Sequence, residues 1–473
     1  MAIGTFTFEQ EPIGDSDKLP VITNWTPVVP YTAKQTSITE IFYFRFVLEV
    51  RLTDASGTLL AKIKQRQNGV SSTTDVYAVF DVRDVVNSVL FDTTADNNLT
   101  TKSIHTLGAN VIAKPFSQNN NQLRTIYVKG YQEFSTAQNA SPSEYTTTSA
   151  NDTKFYMQAS LDLNTERGTA DFQTTSFSSF QLDGSSKRVL SDLASSYNTL
   201  ANVTGYINVI RSTDYHTIAF LNGATDLDSS GWYWQIKYYN SSNALIGSAQ
   251  EIQNHNTTGG AKPVSTEEVN TDAERLIYFG CGAGNLQAQS ANTGARPSAF
   301  SGWAYYTIQA LDSSGGTAKS ALYYFVKDDD NCKGYDVRRL GWRNSLGCYD
   351  YFNFTKKSTQ TLEITRNNYE TMLGEFNSTS YSYDNFGRGV KTRQTTAKIK
   401  ETLNTDWITQ EDAVLLESLL VSTNVHIIEN DFTTYTVPVT ITDTSFIKKT
   451  NANDGLIQYT INIEYSNPVN TNS

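Results

Sequence analysis

Few segments of this chain have residue types that could do chemistry, and each lacks a part that the chemistry needs. Gly280-Cys281-Gly282-Ala283-Gly284 has the glycine density of a phosphate cradle. Such a cradle needs a Lys-Ser/Thr pair behind it and a helix opening toward the anion, so without them the segment reads as a turn. Asp226, Asp228, Ser230 and Gly231 repeat the first half of a calcium loop, but Lys237 stands where a bidentate glutamate must close the shell. A hairpin turn explains the same residues. Asp328-Asp329-Asp330-Asn331 offers hard oxygen ligands in one run, which suits a divalent cation or a solvated acidic linker. No flanking ligand pattern supports the cation. His105, His216, His255 and His426 are scattered, and no Gly-x-Ser-x-Gly elbow presents a nucleophile. A glycosidase needs only two facing carboxylates, which spacing alone does not reveal. The expectation is a chain that is not an enzyme and has no cofactor and no metal site.

Large aromatic residues are the recurrent hint of contact. Trp232, Tyr233, Trp234, Tyr238 and Tyr239 put rings on both faces of one strand, so one set must meet a second domain, a neighbouring subunit or a sugar ring. Trp232, Trp234 and Tyr238 are therefore the candidate glycan or subunit contact. Near the C-terminus Ile457, Tyr459, Ile461 and Ile463 alternate through a stretch without Pro or Lys, the devices that blunt an exposed edge. They are the candidate subunit edge strand.

The elements behind these residues follow from composition. Charged residues are only 18% of the 473, while aromatics reach 12%, with Tyr (27) and Phe (23) far ahead of Met (3). That palette, filled out by Thr, Ser and Asn, suits pleated half-buried strands and their turns. The length predicts about three domains at roughly 150 residues each. A net charge of -11 repels phosphate backbones, which argues against a nucleic-acid partner. The N-terminus lacks the basic start and apolar core of a signal peptide, and no apolar run suits a membrane span, so synthesis and folding in a host cytoplasm without a membrane partner are expected. Cys281, Cys332 and Cys348 are odd in number and have no CxxC, so free thiols are expected.

Along the chain, residues 1–40 read as an extended arm punctuated by Pro12, Pro20, Pro27 and Pro30. Residues 41–165 predict a β-sandwich-like domain, led by the alternating stretch Phe42 to Leu52 and containing a helical spacing at Val82 to Leu90 and a Ser/Thr/Asn-rich loop at 135–153. A connector at 166–203 carries a short helical candidate from Lys187 to Leu200. Residues 204–330 predict a second sandwich or jelly roll. After a junction at 331–344, residues 345–473 predict an antiparallel sheet covered by one helix, announced by Thr409-Gln410-Glu411-Asp412 as a capping box before Ala413 to Leu420. The fold class is mainly β and multi-domain.

The junction Cys332-Lys333-Gly334-Tyr335-Asp336-Val337-Arg338-Arg339-Leu340-Gly341-Trp342-Arg343-Asn344-Ser345-Leu346-Gly347-Cys348-Tyr349-Asp350-Tyr351-Phe352-Asn353-Phe354 resembles one found in virion proteins of marine and Bacteroidetes-type tailed phages. Phe44 to Val50 with Val79 to Val82 resembles the first domain of those proteins, and Leu276 to Gly280 through Asn285-Leu286 the second. The C-terminal order of strand, capped helix, strand and strand pair resembles the tail-tube-like domain. The resemblance implies a structural protein of the phage virion, in a ring or hub at the distal tail or baseplate, touching other copies of itself in six-fold or three-fold symmetry and other tail proteins. A carbohydrate-binding receptor or fibre protein and a neck or head-associated structural protein are the alternatives.

Overall fold

The computed structural model describes residues 4–12, 21–22, 30–36, 38, 41–70, 75–90, 104–107, 116–118, 122–160, 177–222, 233–253, 276–288, 302–329, 334–371, 374–376, 378–382, 389–428, 436–449 and 457–469. The protein is mainly β, as its composition predicts. Two compact units divide it: Met1–Asp329 with Arg343–Asp350, and Asp330–Trp342 with Tyr351–Ser473.

In the first unit, Phe42–Leu52 pairs with Leu59–Gln65 on one side and Leu123–Ser135 on the other. Its apolar alternation buries Phe46, Leu48 and Val50. The strand Ser143–Met157 extends this sheet. Residues expected to form a loop at 135–153 are thus largely strand, since threonine's branched side chain fits a pleated surface as well as a turn. The expected N-terminal arm is also corrected: Phe6–Gln10 pairs with Pro30–Gln35, which pairs with Val76–Asp81. Pro30 starts a strand and Pro12 lies outside strands, where a missing N–H costs no ladder bond, while Pro20 and Pro27 lie outside the described residues. A single helical turn, Arg83–Asn87, occupies the predicted position.

Further along the same unit, Val203–Ile210, Tyr233–Tyr239, Gln250–Gln253, Tyr305–Leu311 and Tyr323–Lys327 form a six-stranded sheet with Ser195–Asn198. It packs on Thr217–Asn222 and Leu276–Gly280 through a core of Phe220, Trp234, Ile236, Phe279, Tyr306 and Phe325. The helix expected over Lys187 to Leu200 is absent, and Ser195–Asn198 is a strand against Val203–Ile210. Here the register with a neighbouring strand overrides a weak local preference. Phe116–Gln118 pairs with Leu276–Gly280, so sequence from the expected first domain completes a sheet of the expected second, and boundaries at 165 and 204 do not separate compact units.

The second unit is built on a seven-stranded sheet in the order Tyr349–Phe354, Arg338–Arg343, Val425–Ile428, Thr436–Ile441, Thr460–Tyr465, Gly389–Asn404, Thr359–Thr371. The predicted helix runs over Gln410–Val421 with its capping box formed: Thr409 Oγ1 accepts from the Asp412 N–H at 3.2 Å, and the Thr409 N–H donates to Asp412 Oδ2 at 3.2 Å. The helix buries Ala413, Leu415, Leu416 and Leu419, and Trp342 Nε1 donates to Ser418 Oγ at 2.9 Å. No helix among the described residues is long and apolar enough to cross a membrane.

Candidate assembly surface

The candidate residues read from the sequence are placed differently from expectation. Trp232 lies outside the described residues. Trp234 and Tyr238 are fully buried, Trp234 between Phe220 and Phe279 at ring separations of 5.0 and 5.4 Å, and Tyr238 against Tyr306 at 5.5 Å. Neither reaches a glycan or a subunit surface; the core takes the side of the strand that carries the larger rings.

The expected edge strand is also corrected. Thr460–Tyr465 lies between Thr436–Ile441 and Gly389–Asn404, hydrogen-bonded to both, and Ile457, Tyr459, Ile461 and Ile463 are all buried. A strand flanked on both sides needs neither Pro nor Lys, because it has no free edge to protect. Gly280 to Gly284 forms no simple turn: a short helix opens at Ala283–Ala288. Asp226, Asp228, Ser230 and Gly231 lie outside the described residues, as do Asp330 and Asn331. Asp329 accepts the Ser212 N–H at 2.8 Å, and Asp328 is exposed. Among the described residues no cluster of His, Cys, Asp and Glu suits a metal ion. Cys281 and Cys348 are buried thiols in no disulfide, while Cys332 lies outside the described residues.

One edge of this sheet is instead Thr359–Thr371, 13 residues that pair, among the described residues, with Gly389–Asn404 alone. Sequence reasoning missed it, although Thr-Gln-Thr-Leu-Glu-Ile-Thr carries the period-two alternation of a strand. Thr460–Tyr465 accompanies this hairpin only from Lys400 to Asn404, beyond which the two strands continue as a ribbon. Every residue from Thr359 to Glu370 is exposed. On one face Leu362 stands opposite Ile399 and Ile364 opposite Ala397, with Leu362 51% and Ile364 41% exposed. On the other, Lys400 pairs with Glu363 at 2.6 Å, and this hydrogen bond and charge hold the glutamate below the usual carboxylate range. Tyr369, Val390, Phe376 and Tyr381 expose further apolar surface along the ribbon and in the short strand pair Glu375–Phe376 and Tyr381–Ser382.

A buried carboxylate braces the root of the ribbon. Glu401 Oε1 accepts from Arg338 Nε at 2.9 Å, and Oε2 accepts from Gln360 Nε2 at 3.1 Å and from the Tyr465 hydroxyl at 2.8 Å. Burial by itself would raise this carboxyl's pKa, but those three donors outweigh it and hold the group ionised.

No family model matches the chain, and no curated protein matches it. Among solved structures, trypsin-activated alpha-2-macroglobulin from Escherichia coli aligns over 86% of this chain and 23% of its own, at 8% identity and a TM-score of 0.17. This chain thus spans about a quarter of that protein, and a likeness at this level carries no argument about fold or function.

Proposed function

We propose that the chain is a structural component of a tailed-phage virion, a ring- or hub-forming tail or baseplate protein rather than an enzyme. One observation carries the assembly part of this reading: an edge strand of 13 residues, without Pro or Lys and with one break in register at Asn367/Asn368, on a ribbon that exposes apolar side chains. Isolated two-stranded ribbons are marginal in water, and the regular run Thr359 to Asn367 on an open edge invites another strand. The ribbon therefore functions when another copy of the chain, or another tail protein, covers it. A heterologous contact of this kind closes into a ring when the rotation between copies permits. The phage part rests on the resemblance of the 332–354 junction and of the capped-helix domain to virion proteins.

The test is a cryo-electron microscopy map of the particle, together with the mass of the full-length protein in solution. Density for several symmetry-related copies, with Thr359–Thr371 against a neighbouring chain, is the expected result. A particle in which this ribbon touches no other chain sinks the reading.

A further inference from the structure

The helix Gln410–Val421 has a second face. Ala413, Leu415, Leu416 and Leu419 are buried, and the stripe opposite them carries Glu411, Val414 and Val421, at the spacings of three and seven residues that stack side chains along one side of a helix. A solvated stripe ordinarily carries polar side chains, yet Val414 is exposed and Val421 is 80% exposed. Lys448 pairs with Glu417 at 2.7 Å, which brings the adjoining Ile447, 78% exposed, to the flank of the same helix. Trp407, just ahead of the helix, is exposed as well. One exposed apolar side chain is ordinary, whereas several on one flank mark a contact surface.

The charges of this helix and of the ribbon are opposite. Gln410–Val421 contains Glu411, Asp412 and Glu417 and no basic residue. From Gly389 to Lys400 the inner strand of the ribbon contains Lys391, Arg393, Lys398 and Lys400 and no acidic residue. Lys398 and Lys400 are answered within the chain, by Glu464 and Glu363, each at 2.6 Å. Lys391 and Arg393 lie farther out and exposed, with no ion pair among the described residues, and Glu411 is exposed in the same way. On the outer strand Arg366 and Glu370 balance each other in charge. Both surfaces stay open within one chain, so neither covers the other.

We propose that the stripe of Glu411, Val414 and Val421, with Ile447 beside it, receives the ribbon of a second copy of the chain. The exposed apolar side chains of the ribbon then meet those of the helix. Lys391 and Arg393 meet Glu411, where a cation also suits the face of Trp407. Two ribbons, by contrast, would bring Lys391 and Arg393 against like charges. The contact joins two different surfaces of the same chain, so every copy has one of each to offer, as a closed ring requires. This inference rests on the assembly reading above and names the surface that the ribbon meets.

The experiment is sedimentation velocity on the full-length protein and two variants over a range of concentrations. Wild type is expected to self-associate. Glu411→Lys with Val421→Lys spoils the helix stripe, and Lys391→Ser with Arg393→Ser spoils the ribbon. Each pair is expected to weaken self-association by about tenfold, with unchanged melting temperatures showing that the variant is folded. Val421→Lys alone, at the last residue of the helix, is the milder substitute should the helix pair lower the melting temperature. An equimolar mixture of the two variants is expected to form a dimer, because each keeps the surface that the other lacks. Self-association that the helix variant leaves unchanged overturns the proposal; if the ribbon variant still weakens it, the ribbon joins elsewhere and the assembly reading stands. A mixture of folded variants that stays monomeric overturns it too, as does stronger association of the ribbon variant, which would mean that ribbons pair with each other. A wild type that is monomeric at every concentration also overturns it, and the assembly reading is then decided separately by the particle map.

Discussion

Ser191 donates its hydroxyl to Asp350 Oδ1 at 2.6 Å, and the other oxygen of the buried Asp350 accepts from the Asp192 N–H at 2.8 Å and from Asn344 Nδ2 at 3.0 Å. Asp192 is itself committed, accepting from the N–H and hydroxyl of Ser345. Burial, and then the charge of Asp192, push the Asp350 carboxyl up to about 7 despite these donors.

The first prediction concerns pH. An aspartate that titrates near 3.9 unfolded and higher when folded takes up a proton on folding, so its contribution to stability is greatest at low pH and declines as pH rises between about 4 and 7. Urea unfolding of the first unit is expected to show this decline, and Asp350→Asn to flatten it. A wild-type profile that rises monotonically with pH over the same range and is unaffected by Asp350→Asn contradicts the assignment.

Glu401 predicts the opposite slope for the second unit. Its folded pKa is lowered, so its contribution is present above the ordinary glutamate value of about 4.3 and is lost as pH falls through the folded value. Replacing it with Gln removes the charged partner of Arg338 and is expected to cost on the order of 1.5–3 kcal/mol at neutral pH. Chemical denaturation at neutral pH, repeated under acid conditions where the difference should shrink, checks this.

The helix Gln410–Val421 separates capping from packing. Leu416 is fully buried, and Leu416→Ala is expected to cost on the order of 2–5 kcal/mol, against on the order of 1 kcal/mol for Asp412→Ala at the capping box. Equal and mild effects in thermal melts would mean that the helix does not cover the sheet.

At Gly347 the backbone has φ +80, and a Cβ would collide with the Gln158 carbonyl oxygen, which already accepts from Arg343 Nη2 at 2.8 Å. Gly347→Ala is therefore expected to destabilise the first unit by on the order of 1–3 kcal/mol, combining left-handed strain with displacement of that contact. A melt indistinguishable from wild type would show that the turn relaxes without loss.

The ribbon offers a test in which folding and assembly part company. Leu362 and Ile364 are exposed, so replacing both with Lys is expected to change stability by only about 0.5 kcal/mol. The same pair of changes is expected to abolish any association that runs through this edge, because it places charge on the contact and blunts the strand. Sedentary monomer–oligomer equilibria, unchanged by the double substitution in analytical ultracentrifugation, would exclude the ribbon as the joint.

Local sequence determined what local forces decide. The β character follows from the aromatic and Thr-rich composition, the strand Phe42–Leu52 from its alternation, and the helix Gln410–Val421 from Thr409 and Asp412, because a capping box is completed within one turn of chain. Tertiary structure decided what depends on partners distant in sequence. Period two shows that Trp234 and Tyr239 face opposite ways but not which side becomes core; that choice came from Phe220 and Phe279 packing on Trp234. It also left Ile457 to Ile463 indistinguishable from an edge strand, because the neighbour that covers one side, Gly389–Asn404, begins more than fifty residues earlier and has no local signature of that pairing. The rings of Tyr239, Tyr305 and Tyr324 were likewise brought together only by strand order, which no spacing along the chain encodes.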